Sequence, residues 1–248
     1  MKIIPLSEGA FTVDKTKQFV PFDKSLDDLQ QRTAGSLLVE IQPFCIVTDN
    51  DVIIIDTGLG FSNADCTMQL HQHLINNGIS PTEVTKVLLS HLHKDHSGGI
   101  TKEDMLLSQP VLSFPNALYY VNKDELALAL SNENSSYTTD DFSILTIAGN
   151  VVLLEGDGVI DGYIRYEVSG AHSPFHQVFW IEEAGQTIFF GGDVAPQLQQ
   201  MKNRFIAKYD YDGKKCMELR QQWWQQGRLE NWTFLFYHDI KTPVFSYK

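Results

Sequence analysis

The sequence predicts an α/β fold in which strands and helices alternate within one domain spanning residues 1–248. A strand–helix–strand pattern lies early in the chain, and a hairpin–helix–strand pattern lies late. No stretch rich in proline, glycine or serine separates the two halves, and no tandem repeat is present. A boundary between two domains is therefore not expected.

The early pattern starts with GSLLVEIQPFCIVTDNDVIIIDTG, which predicts two strands joined by a turn at TDND. The second strand, over 52–55, is continuously apolar and is expected to be central in a sheet. The segment SNADCTMQLHQHLINNG then predicts a helix that starts after Ser62 or Asn63 and stops at Gly78.

The run KVLLS, over 86–90, predicts a strand that leads directly into SHLHKDHSGG. Gly98 and Gly99 would turn the chain, and we expect another helix after them.

The late pattern continues with ALYYVN, VVLLEGD and YIRYEVSG as strands and KDELALAL as a helix. HQVFWIEEAGQTIFFGGD predicts a hairpin around 183–186. KKCMELRQQWWQQG predicts a helix that stops at Gly227, and WTFLFYHDI predicts the last strand. The polar segment 131–141 is expected to be a surface loop.

Composition narrows the class of protein. The net charge is −12 and the isoelectric point about 5.0, which argues against a nucleic-acid partner, because phosphate backbones require clustered lysine and arginine. Three scattered cysteines without a CxxC spacing predict reduced thiols. No apolar run is long enough for a signal peptide or a membrane span, so we expect a cytoplasmic protein without a membrane partner. The oligomeric state stays open.

The segment SHLHKDHSGG carries the chemistry. In an extended backbone His91 and His93 point to the same side and can share a cation, whereas Asp95 and His96 need a turn to reach a neighbouring point. Four such residues exceed the three protein ligands of a typical catalytic zinc. Neutral imidazole suits zinc, iron, nickel or copper. The motif therefore predicts a metal site, and its size favours two ions.

Further ligand-type residues follow apolar runs elsewhere in the chain. His172 follows YIRYEVSGA, Asp193 follows TIFFGG, and His238 follows TFLFY. Residues just after strands collect at a sheet edge. We therefore expect seven residues to converge there: His91, His93, Asp95, His96, His172, Asp193 and His238.

These residues resemble the metallo-β-lactamase superfamily. HLHKDH followed by SGG is similar to its HxHxDH motif, and FFGGD is similar to its (S/G)GD segment. GAHSPFH resembles its GHxxGH segment, although Ala171 is inserted and Phe175 replaces a glycine. IIIDTG, which contains Asp56, and FYHD resemble two further segments, and all five occur in family order.

The resemblance implies an αββα four-layer sandwich with two zinc ions, or iron or manganese, at one edge between the sheets. It assigns His91, His93 and His172 to one metal. It assigns Asp95, His96 and His238 to the other metal, with Asp193 bridging both. Asp56 would support the ligand loop by hydrogen bonding.

The resemblance also implies a hydrolase in which hydroxide held by two zinc ions cleaves an ester, lactone, thioester or phosphoester. Asp95 would orient that hydroxide or pass a proton to the leaving group. His93 stands where redox members carry glutamate, and zinc β-lactamases lack the aspartate at the position of Asp193. The lactonase and organophosphate-hydrolase-like branch is most similar, but Pro196 stands where lactonases often have tyrosine. The alternatives are a redox or oxygen-using di-iron enzyme and a non-catalytic, metal-stabilised binding module.

Other candidate residues have simpler interpretations. His176 occupies the non-ligand position of its motif, and His71 and His73 lie in a predicted helix, where residues two apart point in different directions. Trp223 and Trp224 are expected to pack the last helix. Lys94 is expected to be a solvated loop lysine, with contact to an anionic substrate as the alternative. Tyr209 and Tyr211 are expected mainly outside the site, with entry into it from their loop as the alternative. We expect the pocket walls to come from 19–22, 131–141 and 197–212.

Overall fold

The computed structural model describes residues 1–104, 109–131 and 134–247. The strands are β1 (Lys2–Pro5), β2 (Gly9–Val13), β3 (Phe19–Pro21), β4 (Leu37–Ile41), β5 (Phe44–Val47), β6 (Val52–Ile55), β7 (Lys86–Leu88), β8 (Thr101–Asp104), β9 (Gln109–Leu112), β10 (Leu118–Asn122), β11 (Val151–Leu154), β12 (Gly158–Ile160), β13 (Ile164–Val168), β14 (Gln177–Glu183), β15 (Gln186–Phe190), β16 (Thr233–Leu235) and β17 (Val244–Ser246). The helices are α1 (Gln69–Asn76), α2 (Lys94–Ser97), α3 (Lys123–Ser131), α4 (Thr139–Phe142), α5 (Leu198–Lys202) and α6 (Gly213–Leu229). Short 3-10 helices cover Leu29–Gln31, Pro81–Glu83, Ser143–Thr146 and Gly192–Val194.

Most strands belong to two larger sheets. In the described ranges, the N-terminal sheet has the order β1-β5-β6-β7-β10-β11 and the C-terminal sheet has the order β12-β13-β14-β15-β16-β17. β6, β7, β10 and β11 run parallel to one another, and β15 runs parallel to β16. Helix α1 joins β6 to β7, and α5 and α6 join β15 to β16. The predicted α/β class is therefore confirmed.

Side-chain alternation along the strands builds the layers. Ile53 and Ile55 pack in the core between the two sheets, together with Phe179 and Ile188 of the C-terminal sheet. Ile54 points the other way, into a core that includes residues of α1 and α3. On the far face, side chains of the C-terminal sheet pack with residues of α5 and α6. These three cores separate four layers, as predicted for the αββα sandwich.

The first predicted strand is interrupted. Its residues form two strands, β4 and β5, with Gln42 and Pro43 between them. Proline has no N–H to donate to a ladder, whereas the Pro43 carbonyl accepts a hydrogen bond from the Leu6 amide. β4 pairs with β2 in a separate small sheet, β3-β2-β4, which the sequence patterns did not indicate.

Two predicted helix positions near the motif were wrong. The helix expected after Ser62 begins only at Gln69, because Ser62 and Met68 pair in a β-bridge. No helix follows Gly98 and Gly99: α2 precedes them and β8 comes after. A Cβ on Gly98 would lie 2.5 Å from the Leu59 carbonyl oxygen, and one on Gly99 would lie 2.2 Å from that of Thr57. The glycines permit a close backbone approach that holds the motif beside the Asp56 loop.

The prediction that the last helix stops at Gly227 was also wrong, since α6 continues to Leu229. A Cβ on Gly227 would lie 2.3 Å from Cζ of Phe234 and 2.9 Å from Cε3 of Trp232. The glycine therefore lets the helix pack closely on β16. The last strand is β17 rather than the predicted β16.

Cys45 and Cys216 are buried and free, and Cys66 is exposed and free. Over the described ranges, no helix has both the length and the apolar composition needed to cross a bilayer.

Substitution of Gly227 by alanine tests the close packing of α6. We expect Gly227→Ala to lower the free energy of unfolding, because overpacking costs about 1–3 kcal/mol and outweighs the roughly 1 kcal/mol that alanine gains in a helix. Urea unfolding midpoints measure the effect. Gly149→Ala is the control, because a Cβ there meets nothing within 4 Å. A Gly227→Ala protein as stable as the wild type would contradict this packing argument.

Candidate metal centre

The seven ligand-type residues come from four chain segments that meet at one edge of the two sheets. His91 and His93 follow β7, and α2 then carries Asp95 and His96. The remaining three follow strands of the C-terminal sheet: His172 comes after β13, Asp193 after β15 and His238 after β16. These three strands run in the same direction, so their carboxyl ends share an edge.

The structure brings these residues together in two groups. The first candidate group is His91, His93, His172 and Asp193; the second is Asp95, His96 and His238. Within each group the possible ligand atoms all lie within 4.8 Å of one another. The resemblance assigned the same three histidines to one metal and Asp95, His96 and His238 to the other, with Asp193 bridging both; that these groups bind metals stays a prediction.

The Asp193 carboxylate lies between the two groups. Its Oδ2 atom is 3.2 Å from Nε2 of His172, in the first group. Its Oδ1 atom is 3.1 Å from Nε2 of His96 and 3.0 Å from Nε2 of His238, both in the second group. One carboxylate can therefore contribute one oxygen to each of two neighbouring cations.

Several buried polar atoms at this point have no hydrogen bond. Nε2 of His91, Nε2 of His96 and Oδ1 of Asp193 are all buried without a partner of suitable geometry among the described residues. Buried polar atoms are normally paired, because an unpaired one costs roughly 1–3 kcal/mol. A divalent cation at each of the two groups would satisfy these atoms, so the residues present fit metal ions.

The charge states of the first group also suit a metal. Burial lowers the pKa of His91 and of His93 well below the usual value, and neighbouring histidines lower both further. Both rings are therefore neutral, which is the form that binds a cation.

The second group lies in a negative field. Burial alone would lower the pKa of His96, but the carboxylates of Asp193, Asp95 and Asp56 raise it well above the usual value. The pKa of His238 is raised in the same way, against burial, mainly by Asp193. This field favours a positive charge at the group, and a metal cation competes for it with protons.

Asp56 holds the start of the motif. It is fully buried, and its backbone φ of 54° lies in the left-handed region. Oδ1 accepts a hydrogen bond from the Ser90 amide, and Oδ2 accepts from the Ser90 hydroxyl, each at 2.7 Å. Oδ2 also lies 2.7 Å from Nδ1 of His96. Because His96 donates through Nδ1, its Nε2 lone pair points to the second candidate group.

Three further histidines are oriented through Nδ1 by groups that the sequence analysis missed. Nδ1 of His172 lies 2.8 Å from Oδ1 of Asp210, and Nδ1 of His238 lies 2.7 Å from the Glu40 carbonyl oxygen. Nδ1 of His91 lies 3.0 Å from the Ser90 hydroxyl. Asp210 belongs to no motif, and Glu40 acts through its backbone, so only the serine beside the motif gave a sequence signal.

His93 has a different orientation. Its Nδ1 atom faces the first candidate group, 3.2 Å from Nε2 of His172. Its ring packs edge-on against Tyr137, with 4.8 Å between ring centroids. The Tyr137 hydroxyl donates to the buried carboxylate of Glu125, which also accepts from the Leu92 amide and the Ser173 hydroxyl. Glu125 of α3 thereby connects the loops that carry His93 and His172.

A cavity of about 1130 Å³ opens onto both groups. Each predicted wall segment contributes: Phe19 from 19–22, Tyr137 from 131–141, and Tyr209 from 197–212. Residues 132 and 133 of the second segment lie outside the described residues. Lys94 and Tyr211 also line the cavity. The sequence analysis missed two wall segments, 13–17 and 35–39.

The remaining histidines lie outside both candidate groups. His176 is buried behind Asp193, and its Nε2 accepts a hydrogen bond from the Asp193 amide at 3.2 Å. His71 and His73 lie on α1, and the His71 ring packs against Phe114.

Trp223 and Trp224 pack α6, as expected. Trp223 contacts Phe189, and Trp224 contacts Phe234, at ring-centroid distances of 4.9 and 5.4 Å.

A four-layer αββα sandwich with a histidine–aspartate cluster at one edge is the architecture of a class of metal-dependent hydrolase folds. The family model of the metallo-beta-lactamase superfamily matches residues 40–238. The chain therefore belongs to the metallo-beta-lactamase superfamily, as the sequence motifs indicated. A search of curated protein sequences finds no match.

Solved structures show the same fold. A probable metal-dependent hydrolase from Staphylococcus aureus aligns at a TM-score of 0.79 and 23% identity, covering 100% of this chain and 92% of that chain. The hydrolase AbOPH, of the beta lactamase superfamily, aligns at a TM-score of 0.74 and 21% identity, covering 98% of this chain and 89% of that chain. AidC, a dizinc quorum-quenching lactonase in complex with a product, aligns at a TM-score of 0.70 and 17% identity, covering 98% of this chain and 88% of that chain.

Replacement of Asp56 tests its support of the ligand loop. We expect Asp56→Asn to weaken zinc binding by about 10–100-fold, because the amide cannot accept from both Ser90 and His96 as the carboxylate does. Zinc titration against a competing chelator measures the affinity.

Asp51→Asn is the matched control. The Asp51 carboxylate is largely buried and binds Lys86 and Thr85 rather than a candidate ligand. We expect this variant to lose stability and keep its zinc affinity. Equal zinc affinities in both variants would contradict the role of Asp56.

Proposed function

We propose that this chain is a binuclear metal-dependent hydrolase that cleaves an ester, lactone, thioester or phosphoester bond of a small molecule. Zinc is the proposed metal, and the whole chain, 1–248, is the proposed catalytic domain. The observation that carries the proposal is the Asp193 carboxylate, with one oxygen near His172 and the other near His96 and His238. Such a bridge has a clear use only where two cations lie side by side.

In the proposed site, His91, His93 and His172 hold one cation and Asp95, His96 and His238 hold the other, with Asp193 between them. When bound, two such cations lower the pKa of a water and polarise the substrate oxygen. The side chain of Asp95 is 13% exposed, and Asp95 lines the cavity. It is therefore the group best placed to pass a proton to a leaving group in the cavity.

The ligand set argues for hydrolysis over the alternatives. His93 favours zinc by the family comparison, because redox di-iron members of the superfamily carry a glutamate at this position. Asp193 disfavours β-lactam hydrolysis by the family comparison. Lactonases such as AidC share the fold. Pro196 lines the cavity at the position where lactonases often have a tyrosine. Tyr209 lines the cavity from another segment, and its ring centroid lies 6.2 Å from that of His172.

Metal analysis with a substrate panel tests the proposal. We expect about two zinc ions per chain after reconstitution, because two sets of ligands are present. The panel contains lactones, phosphotriesters, thioesters and β-lactams, and we expect turnover of at least one of the first three that chelation abolishes. His238→Gln should lose one metal, whereas His73→Gln, in α1, should bind both.

Three results would count against this function. Fewer than two metals per wild-type chain would exclude the binuclear site. Bound iron with activity that disappears on anaerobic reduction would indicate the redox alternative. Full metal content without hydrolysis of any compound would indicate a binding module.

Asp95→Asn separates metal binding from proton transfer. We expect the variant to retain both metals at saturating zinc and to lose about 10²–10⁴-fold in turnover, which is the usual contribution of a general acid or base. Turnover and metal content are measured on the same preparation. Wild-type turnover with both metals bound would rule out the proton-transfer role.

A further inference from the structure

The cavity wall is positively charged, although the chain as a whole has a net charge of −12. Its cationic lining residues are Lys15, Lys17, Arg32, Lys94 and Lys208. Its carboxylates are Asp14, Asp95, Asp193 and Asp210. The last three contact imidazoles of the two candidate groups. Away from the metal centre, the described lining therefore has five cations against a single carboxylate.

These cations are not neutralised within the protein. Across the described residues, none of the five has a carboxylate within 4.0 Å. The one remaining carboxylate, Asp14, accepts from the amide and hydroxyl of Thr16 at 2.8 and 2.6 Å. Cations exposed on a protein surface often lack partners, but here they face one concave wall, where their fields add.

The backbone at Lys17 shows that this arrangement has a conformational cost. Lys17 ends a turn in which its amide donates to the Asp14 carbonyl, and its φ is 59°. The left-handed region costs a residue with a Cβ roughly 1–2 kcal/mol, and glycine would avoid this cost. Lys17 is half-buried and lines the cavity wall.

Lys94 is also held at the wall. Its amide donates to the Ser136 carbonyl at 2.8 Å, and its Nζ lies 5.7 Å from the ring centroid of Phe19. It is half-buried beside the candidate ligands His93 and Asp95. A negative group in this part of the cavity would therefore lie close to the metal centre.

Much of the remaining lining is apolar. It includes Val13, Phe19, Leu37, Leu38, Leu128 and Phe205. A cavity of about 1130 Å³ is large enough for a drug-sized molecule, which is far more than a small ester would need. The wall is therefore complementary to a molecule with an apolar body and a negative charge.

We propose that the substrate is an organic anion, an ester or lactone whose non-reacting part carries a carboxylate or phosphate group bound by the cations of this wall, Lys17 and Lys94 foremost. This inference rests on the proposed hydrolase function and adds the substrate class. A cleft lined by one sign of charge raises the local concentration and encounter rate of an opposite ion about 10–10³-fold.

Binding of inert analogues tests the charge preference independently of turnover. Calorimetry measures the binding of three 4-nitroanilides to the zinc-loaded protein. The first is the mono-anilide of glutaric acid, which keeps a free carboxylate. The second has a neutral amide in place of that carboxylate, and the third has a phosphonate there. We expect the carboxylate or phosphonate to bind about 10-fold more tightly than the neutral amide. The tighter of the two anions identifies the preferred group, and the preference should shrink at high salt.

Paired variants assign the preference to the wall. Lys17→Gln/Lys94→Gln removes the two cavity charges that the proposal places foremost. Lys123→Gln/Lys214→Gln removes two charges from exposed lysines that pair with Glu155 and Glu218 elsewhere. The net charge changes equally in both. We expect the first pair to lower the anion-to-neutral affinity ratio about 5-fold or more and the second pair to leave it unchanged. The ratio of kcat/KM for the matching 4-nitrophenyl esters should change in parallel.

An affinity ratio near one in the wild type would overturn the inference. So would a wild-type preference that survives in Lys17→Gln/Lys94→Gln, because the two cations that the proposal places foremost would then not be what binds the anion. Absence of hydrolysis with any ester would contradict the proposed function, while the calorimetric ratios would still decide whether the wall binds anions.

Discussion

The burial of the Asp193 carboxylate is the constraint on which the rest of the site depends. A carboxylate taken out of water costs several kcal/mol unless donors or cations surround it. Here imidazoles from both sheets approach its two oxygens, and their charges outweigh the effect of burial and hold the pKa of Asp193 well below its usual value. Rings must therefore come from β7 on one side and from β13 and β16 on the other. The two sheets have to end at a common edge.

The sequence predicted the layered fold well because its patterns are local. Strand and helix periodicities depend on neighbouring residues, and most of the predicted elements exist. The errors fall where a distant contact decides. Pro43 interrupts a predicted strand, and its carbonyl accepts a hydrogen bond from the Leu6 amide. Gly98 allows the backbone of Leu59 to come close. Helix α6 continues past Gly227, because the missing side chain leaves room for Phe234. A glycine required for close packing looks the same in sequence as a glycine that ends a helix.

At the site, too, local sequence patterns were predictable and distant contacts were not. The motif His91–His96 carries its chemistry in its spacing, and strand ends supplied His172, Asp193 and His238. The supports were harder to predict, because Asp210 and Glu125 are ordinary acidic residues until the fold brings them to His172, Tyr137 and Ser173. The charge of the cavity wall was hidden for a related reason. Its cations come from widely separated segments of an acidic chain, and only the folded arrangement collects them.

The hydrogen bond from His238 to the Glu40 carbonyl has a consequence for the order in which the protein matures. It joins residues 198 positions apart. Contacts of such long sequence separation form late in folding, because the loop must close before the contact contributes. The first candidate group is complete in the chain by Asp193, whereas the second waits for His238. During synthesis, the residues of the first candidate group are therefore all present before those of the second.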